Sequence, residues 1–344
     1  MSLFRTARVL FVKKIVSIGL LFMMFFLVAC SENIDSNWIE RKYLNDASSF
    51  VSLDGNRVHY RDEGAGEVIV LIHGTASSLH TWDQWANILT RHYRVIRMDL
   101  TGFGLTGPDH SERYEVSDDV AFLKGFLDKL EITKAHFVGS SLGGRIAWQY
   151  ALQYPNDVHT LALVNSLGYP QEKWPPPIQM AQWPVFDEVM KRFSPRFMYE
   201  IGLKDIYYDE SLVNDNLVDR YYEISRYPGN LAAFPARVKA SLDKDSNLIN
   251  QIKVPTLIMW GEEDLYFPVE SAYRFDQDID DSHLVIYPYI GHLPMEEAPE
   301  RSVKDYLGFL EKKGVKDSDE VRYSSLKERM SFSTITGVRS IFDQ

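Results

Sequence analysis

The segment Ala135–Gly144 constrains this chain most. A short apolar strand pattern, Ala135–Val138, runs into Gly139-Ser140-Ser141-Leu142-Gly143-Gly144, and a helical pattern continues over Leu142–Tyr154. A strand that turns into a helix within so few residues makes a tight corner, with Ser141 at its apex and Gly139 and Gly143 at ±2. Glycine suits both places because a Cβ there would meet the other limb of the corner. The corner lifts Ser141 above the strand and aims it at a helix N-terminus, where backbone N–H groups have no intrahelical partner. G-x-S-x-G alone is a moderate signal, but between an apolar strand and a helix it marks a nucleophilic serine. Ser140 lies off the apex and is the poorer candidate.

The rest of the chain supplies a matching frame. Strand patterns occur at Phe50–Leu53, Arg57–Arg61, Val68–Ile72, Val95–Asp99, Ala135–Val138, Thr160–Val164, Thr256–Trp260 and His283–Tyr287. Several are apolar throughout, as expected of strands covered on both faces. Helical patterns lie at Thr81–Thr90, Val116–Leu130, Leu142–Tyr154 and Ser302–Lys312; in the second, Val116, Val120, Leu123, Leu127 and Leu130 form one stripe. This alternation predicts an α/β fold: an eight-stranded, mostly parallel sheet with helices on both faces. Residues 169–240 break the rhythm, being rich in Trp, Phe and Tyr and lacking a convincing strand. They read as a helical cap inserted before the last two strands, with the core formed by 49–168 and 241–312.

A serine hydroxyl is a weak nucleophile and needs an oriented base. Gly261-Glu262-Glu263-Asp264 follows the next-to-last strand, and Gly291-His292-Leu293-Pro294 follows the last. Among nine histidines, His292 has a glycine before it and an acidic helix start after it. His73 reads as a loop brace, and His59, His80, His92, His110, His136, His159 and His283 as surface or strand residues. The order Ser141, Asp264, His292 is that of the α/β-hydrolase triad. Over residues 50–312 the chain resembles the α/β-hydrolase family, in its lid-bearing esterase, haloperoxidase-like and carbon–carbon hydrolase branch. Ile72-His73-Gly74-Thr75 matches the family's oxyanion loop, and Asp99-Leu100-Thr101-Gly102-Phe103-Gly104-Leu105-Thr106 its D-x-x-G-x-G-x-S loop, with Thr106 in place of Ser. The resemblance implies that the backbone N–H groups of Thr75 and Leu142 hold the oxyanion. It also implies that Asp99 and its glycines are architectural, and that Asp264, rather than Glu262 or Glu263, is the acid. Some relatives carry the acid after the preceding strand, where this chain reads Val164-Asn165-Ser166 and offers no carboxylate.

Family members that open epoxides or remove halogen carry Asp at the elbow, so Ser141 directs the reading to acyl transfer. The main expectation is a serine esterase cleaving carboxylic esters through an acyl-enzyme. The alternatives are a carbon–carbon bond hydrolase acting on a vinylogous diketone and a catalytically idle binding lipoprotein. Carbon–carbon hydrolases usually carry Trp after the catalytic His, where this chain has Leu293, and they use a lid Arg; Arg192, Arg196, Arg220, Arg226 and Arg237 are available. Cap aromatics Trp174, Trp183, Phe186, Phe193, Phe197, Tyr207, Tyr208, Tyr221 and Tyr222 suggest an apolar roof and a preference for an uncharged, apolar small-molecule substrate. No cofactor is implied, no His/Asp/Glu cluster has metal-ligand spacing, and a net charge of −11 disfavours nucleic acid as a partner.

The N-terminus carries an address. Arg5, Arg8, Lys13 and Lys14 precede an apolar run, Ile15–Ala29, that ends at Cys30, the only cysteine. This pattern reads as a secretory signal over 1–29. Leu27-Val28-Ala29-Cys30 resembles a bacterial lipobox, which implies cleavage before Cys30, lipidation of its thiol and anchoring in the cell envelope; an uncleaved anchor helix is the alternative. Ser31 in place of Asp leans toward the outer membrane. Removing 1–29 would leave a charge of −15, so the membrane would be met through the lipid on Cys30 rather than through the protein surface. Residues 30–48 read as a polar tether and 313–344 as a polar tail without an assigned role.

Overall fold

Val68–Ile72 is apolar at every position because its strand is covered on both faces. The computed structural model describes residues 34–171, 174–183, 189–191, 194–240 and 245–313. Its strands are β1 Ser48–Leu53, β2 Asn56–Gly64, β3 Val68–Ile72, β4 Arg94–Met98, β5 Ala135–Ser140, β6 Val158–Val164, β7 Thr256–Gly261 and β8 Ser282–Tyr287. They form one eight-stranded sheet in the order β1-β2-β4-β3-β5-β6-β7-β8. The β1–β2 and β2–β4 pairs are antiparallel and the others parallel.

The helices are α1 Ser36–Tyr43, α2 Asp83–Leu89, α3 Val116–Lys129, α4 Leu142–Gln153, α5 Pro176–Ala181, α6 Arg196–Ile206, α7 Asp215–Ser225, α8 Asn230–Ala240, α9 Glu270–Asp278, α10 Pro294–Glu297 and α11 Pro299–Lys312. Side chains alternate across the sheet. Val70, Ile72, Phe137 and Ile258 share one core with Val120, Leu123 and Leu127 of α3, Ile146 of α4 and Phe275 of α9. Ile69, Leu71, Val138 and Leu257 face the other way, with Trp85 of α2 and Tyr306 of α11. Those two rings stack at 5.3 Å, and Trp85 Nε1 donates to Ser302 Oγ at 2.9 Å. The α/β architecture thus matches the sequence expectation, and α5–α8 lie between β6 and β7 as the expected helical insertion.

Within the expected tether, 30–48, residues 36–43 are instead a docked helix. Ser36–Tyr43 is a helix with Ile39 fully buried. Tyr43 Oη and Lys42 Nζ each reach Glu223 Oε2 at 2.6 Å, and Glu40 accepts from Arg57 and Tyr227. Composition concealed this because short polar helices that dock through charged pairs look like linkers. Residues 1–33, with the signal and Cys30, and 314–344, nearly all of the tail, lie outside the described residues. No helix among the described residues is long and apolar enough to cross a membrane.

Candidate active site

Backbone crowding at the end of β5 sets the geometry of Ser141. Its φ of +55° is a conformation that costs a non-glycine residue roughly 1–3 kcal/mol. The neighbours make this corner possible: a Cβ on Gly139 would lie 2.1 Å from Gly143 O, and one on Gly143 2.2 Å from Ile72 O. Ser141 N donates to Val164 O at 3.0 Å, while Ser141 O accepts from Arg145 N and Leu167 N, so both limbs of the turn are tied down. Leu142 opens α4, where its N–H precedes the first intrahelical acceptor. The His73–Thr75 loop also packs against the corner, since a Cβ on Gly74 would sit 3.0 Å from Ser141 Cβ.

Asp264 is saturated with donors. Its Oδ1 accepts from the N–H groups of Tyr266 and Phe267 at 2.7 and 3.1 Å. Its Oδ2 accepts from Asn165 Nδ2 at 2.6 Å and lies 2.7 Å from His292 Nδ1. That contact assigns the His292 proton to Nδ1 and leaves Nε2 as the ring's acceptor. The imidazole lies edge-on to Phe267, with ring centroids 5.1 Å apart. His292 N donates to Ile206 O at 2.7 Å, and Glu297 bridges Gly291 N and Tyr208 N at 2.9 and 2.8 Å, so the loop carrying His292 is fastened to the cap. Burial raises the Glu297 carboxyl above its ordinary value, although backbone N–H groups oppose the shift.

Ser141, His292, Thr75 and Gly74 line one cavity of about 230 Å³ at the C-terminal ends of the parallel strands, beneath the cap. Its roof is part aromatic and part aliphatic: of the aromatics expected there Trp174 and Tyr221 contribute, Tyr199 and Phe234 join them, and Ile178, Met198, Leu203, Ile206 and Ile224 supply the aliphatic wall. Trp183, Phe197 and Tyr208 are exposed, and Tyr207 is buried against the core. Phe186 and Phe193 lie outside the described residues.

The other candidates resolve into supporting roles. His73 Nδ1 donates to Gly74 O at 2.8 Å and its Nε2 accepts from Leu100 N at 3.0 Å, bracing the loop. Asp99 accepts from Leu79 N and Leu105 N and pairs with His59 Nδ1 at 2.7 Å. Burial alone would raise the Asp99 carboxyl, but His59, with His73 and His80, holds it below the usual carboxylate range. Thr106 serves in place of serine, its Oγ1 donating to Asp99 O and accepting from His59 N. His80 is neither a surface nor a strand residue. It is buried in the Leu79–Trp82 turn, and that burial pushes its imidazole down to about 4.

Of the lid arginines, Arg220 alone among the described residues lines the cavity. Arg237 forms a buried pair with Asp119, its Nη1 donating to both carboxylate oxygens at 2.7 and 2.9 Å, Arg196 pairs with Asp215 and Asp219, and Arg226 stacks over Tyr222. Arg192 lies outside the described residues.

The family model for the alpha/beta hydrolase fold matches residues 67–299. The chain belongs to the α/β-hydrolase fold family. It is 32% identical over 267 residues to the 2-hydroxy-6-oxo-2,4-heptadienoate hydrolase of Pseudomonas putida, covering 74% of this chain and 93% of the relative. It is 30% identical to the 2-hydroxy-6-oxo-6-(2'-aminophenyl)hexa-2,4-dienoic acid hydrolase of Metapseudomonas resinovorans, covering 82% and 94%. The structure of a meta-cleavage product hydrolase from Pseudomonas fluorescens IP01 superposes with a TM-score of 0.68 at 28% identity, covering 77% and 97%. This α/β hydrolase is therefore similar to proteins named for hydrolysis of oxo-dienoates.

Two groups in the site lie beyond sequence reasoning. Asn165 occupies the alternative acid position yet serves the acid, donating to Asp264 and accepting from Gly261 N at 3.1 Å. Its place directly after the β6 strand pattern was the one signal in the sequence; its φ of +42° is seen only in the structure. Glu296, four residues past His292, gathers cap side chains about itself, and no local pattern in the sequence announced it.

Proposed function

We propose that this α/β hydrolase cleaves a carbon–carbon bond beside a ketone in a vinylogous diketone, with Ser141 as nucleophile, His292 as base and Asp264 as its orienting acid. The observation that carries the reading is the match, along nearly their whole length, to relatives named for 2-hydroxy-6-oxo-dienoates. A molecule of that kind contains no ester or amide, so its hydrolysis breaks a bond to carbon.

Ser141 Oγ attacks the ketone while its proton passes to His292 Nε2. The oxyanion rests on the Thr75 and Leu142 N–H groups, a kind of contact whose loss typically costs about 100–1,000-fold. Asp264, held by four donors, keeps the imidazole in its tautomer and stabilises the cation. The carbon–carbon bond then breaks with its electron pair delocalised into the conjugated enone, and His292 protonates that leaving group. Water, deprotonated by His292, attacks the acyl-serine, releasing a carboxylic acid and restoring Ser141.

Ester hydrolysis is the second reading, and two observations favour it. Leu293 follows the histidine, and the lid arginine in the cavity, Arg220, is already paired with Glu296 at 2.5 Å. The same steps apply, with an alkoxide leaving. A matched panel of diketones, esters and thioesters separates the two. Carbon–carbon hydrolysis predicts diketone turnover above ester turnover, both abolished by Ser141→Ala, whereas ester turnover alone overturns the first reading in favour of the second.

We further propose that the protein is lipid-anchored through Cys30 in a bacterial cell envelope, with the outer membrane favoured. The lipobox-like Leu27–Cys30 and the basic and apolar segments before it support this. Metabolic labelling with an alkynyl fatty acid should tag wild type and not Cys30→Ala; equal labelling contradicts it.

A further inference from the structure

Glu296 brings together an unusual set of donors. Its Oε1 accepts from Thr81 Oγ1 at 2.5 Å and Tyr221 Oη at 2.9 Å, and its Oε2 from Tyr207 Oη at 2.8 Å and Arg220 Nη2 at 2.5 Å. Thr81 belongs to the core, whereas Tyr207, Arg220 and Tyr221 come from the cap. The pair is largely withdrawn from solvent, with side-chain exposures of 20% for Arg220 and 9% for Glu296.

Arg220, Tyr221 and Thr81 line the catalytic cavity, and Glu296 stands behind them. Among the described lining residues, Arg220 and His292 are the basic side chains, and no Asp or Glu is present. Arg220 is thus the natural receptor for an anionic substrate end, but its charge is already balanced. An incoming carboxylate would have to share the guanidinium with Glu296, and two like charges at one cation in a poorly solvated wall repel strongly. An uncharged end meets no such penalty in a wall that is otherwise aliphatic and aromatic.

We propose that Glu296 is a specificity-determining residue: as the resident counter-ion of Arg220, it makes the cavity selective for substrates whose bound end is uncharged. The inference rests on the reading that substrates occupy this cavity beside Ser141, and not on which bond is cleaved there. It narrows the diketone to one without a carboxylate at Arg220.

The test reads binding rather than turnover, so that its failure is distinct from failure of the catalytic reading, which labelling and turnover at Ser141 report. Calorimetry on the full chain would compare octanoate with octan-1-ol, ligands of equal length that contain no bond for the enzyme to hydrolyse. Wild type is expected to bind octan-1-ol at least 10-fold more tightly than octanoate. Glu296→Gln, whose amide oxygen can still accept from Thr81 and Tyr221, should tighten octanoate at least 10-fold while changing octan-1-ol by less than about 3-fold. Adding Arg220→Gln should erase that gain.

Octanoate binding to wild type as tightly as octan-1-ol would overturn the proposal, and this comparison needs no variant to fold. An unchanged ratio in folded Glu296→Gln would overturn it too, leaving Glu296 as a cap fastener only. Absence of binding by either ligand at millimolar concentration would equally contradict it, because the cavity would not then accept an apolar chain.

Discussion

At the C-terminal ends of the strands, the positions of Ser141, Asp264 and His292 follow from the main chain: glycines that leave no room for a Cβ, and N–H groups that converge on one carboxylate. The cap is held differently. It meets the core through buried and half-buried carboxylates, each collecting cap donors: Glu296 with Tyr207, Arg220 and Tyr221, Glu297 with Tyr208 N, and Asp119 with Arg237. Chemistry that must not drift is tied to the backbone, whereas selectivity rests on side chains that a single substitution can change. The two meet where Ile206 O accepts from His292 N, so cap position and base position are mechanically joined.

If the cap depends on side-chain pairs, Arg237→Met should have the larger effect on stability. It strands Asp119, a fully buried carboxylate, and such losses cost about 3–5 kcal/mol. Chemical denaturation should show that loss, and a change below about 1 kcal/mol would mean the cap is held otherwise.

Asn165→Ala probes the opposite side of the comparison. It removes one donor to the Asp264 carboxylate and one acceptor for Gly261 N, without touching the cavity wall. Hydrogen bonds to charged groups are worth about 1.5–3 kcal/mol, so kcat should fall about 10–100-fold with KM nearly unchanged. A KM effect without a kcat effect would instead give Asn165 a role in binding.

The same division explains what could be read before the fold was known. The elbow was legible because Gly139, Ser141 and Gly143 stand at fixed spacing for a steric reason that holds wherever the turn occurs. The strands were legible because coverage on both faces leaves runs such as Val68–Ile72 apolar throughout. Arg220 could be named only as one of five arginines, since its meaning depends on Glu296, 76 residues away. Asn165 reads in the sequence as the absence of a carboxylate, whereas its amide serves a carboxylate in the loop after the next strand. Helix α1 was mistaken for a tether because its burial rests on one residue, Ile39, and on charged pairs that no periodicity reveals.

The central claim is that Ser141 is the nucleophile of a working triad. Treating the protein with a fluorophosphonate and mapping the adduct by mass spectrometry tests it most directly. The account predicts one adduct, on Ser141, that is lost in Ser141→Ala and strongly slowed in Asp264→Asn, where the imidazole tautomer is no longer held. An adduct on another residue, or none at all in folded wild type, would contradict it.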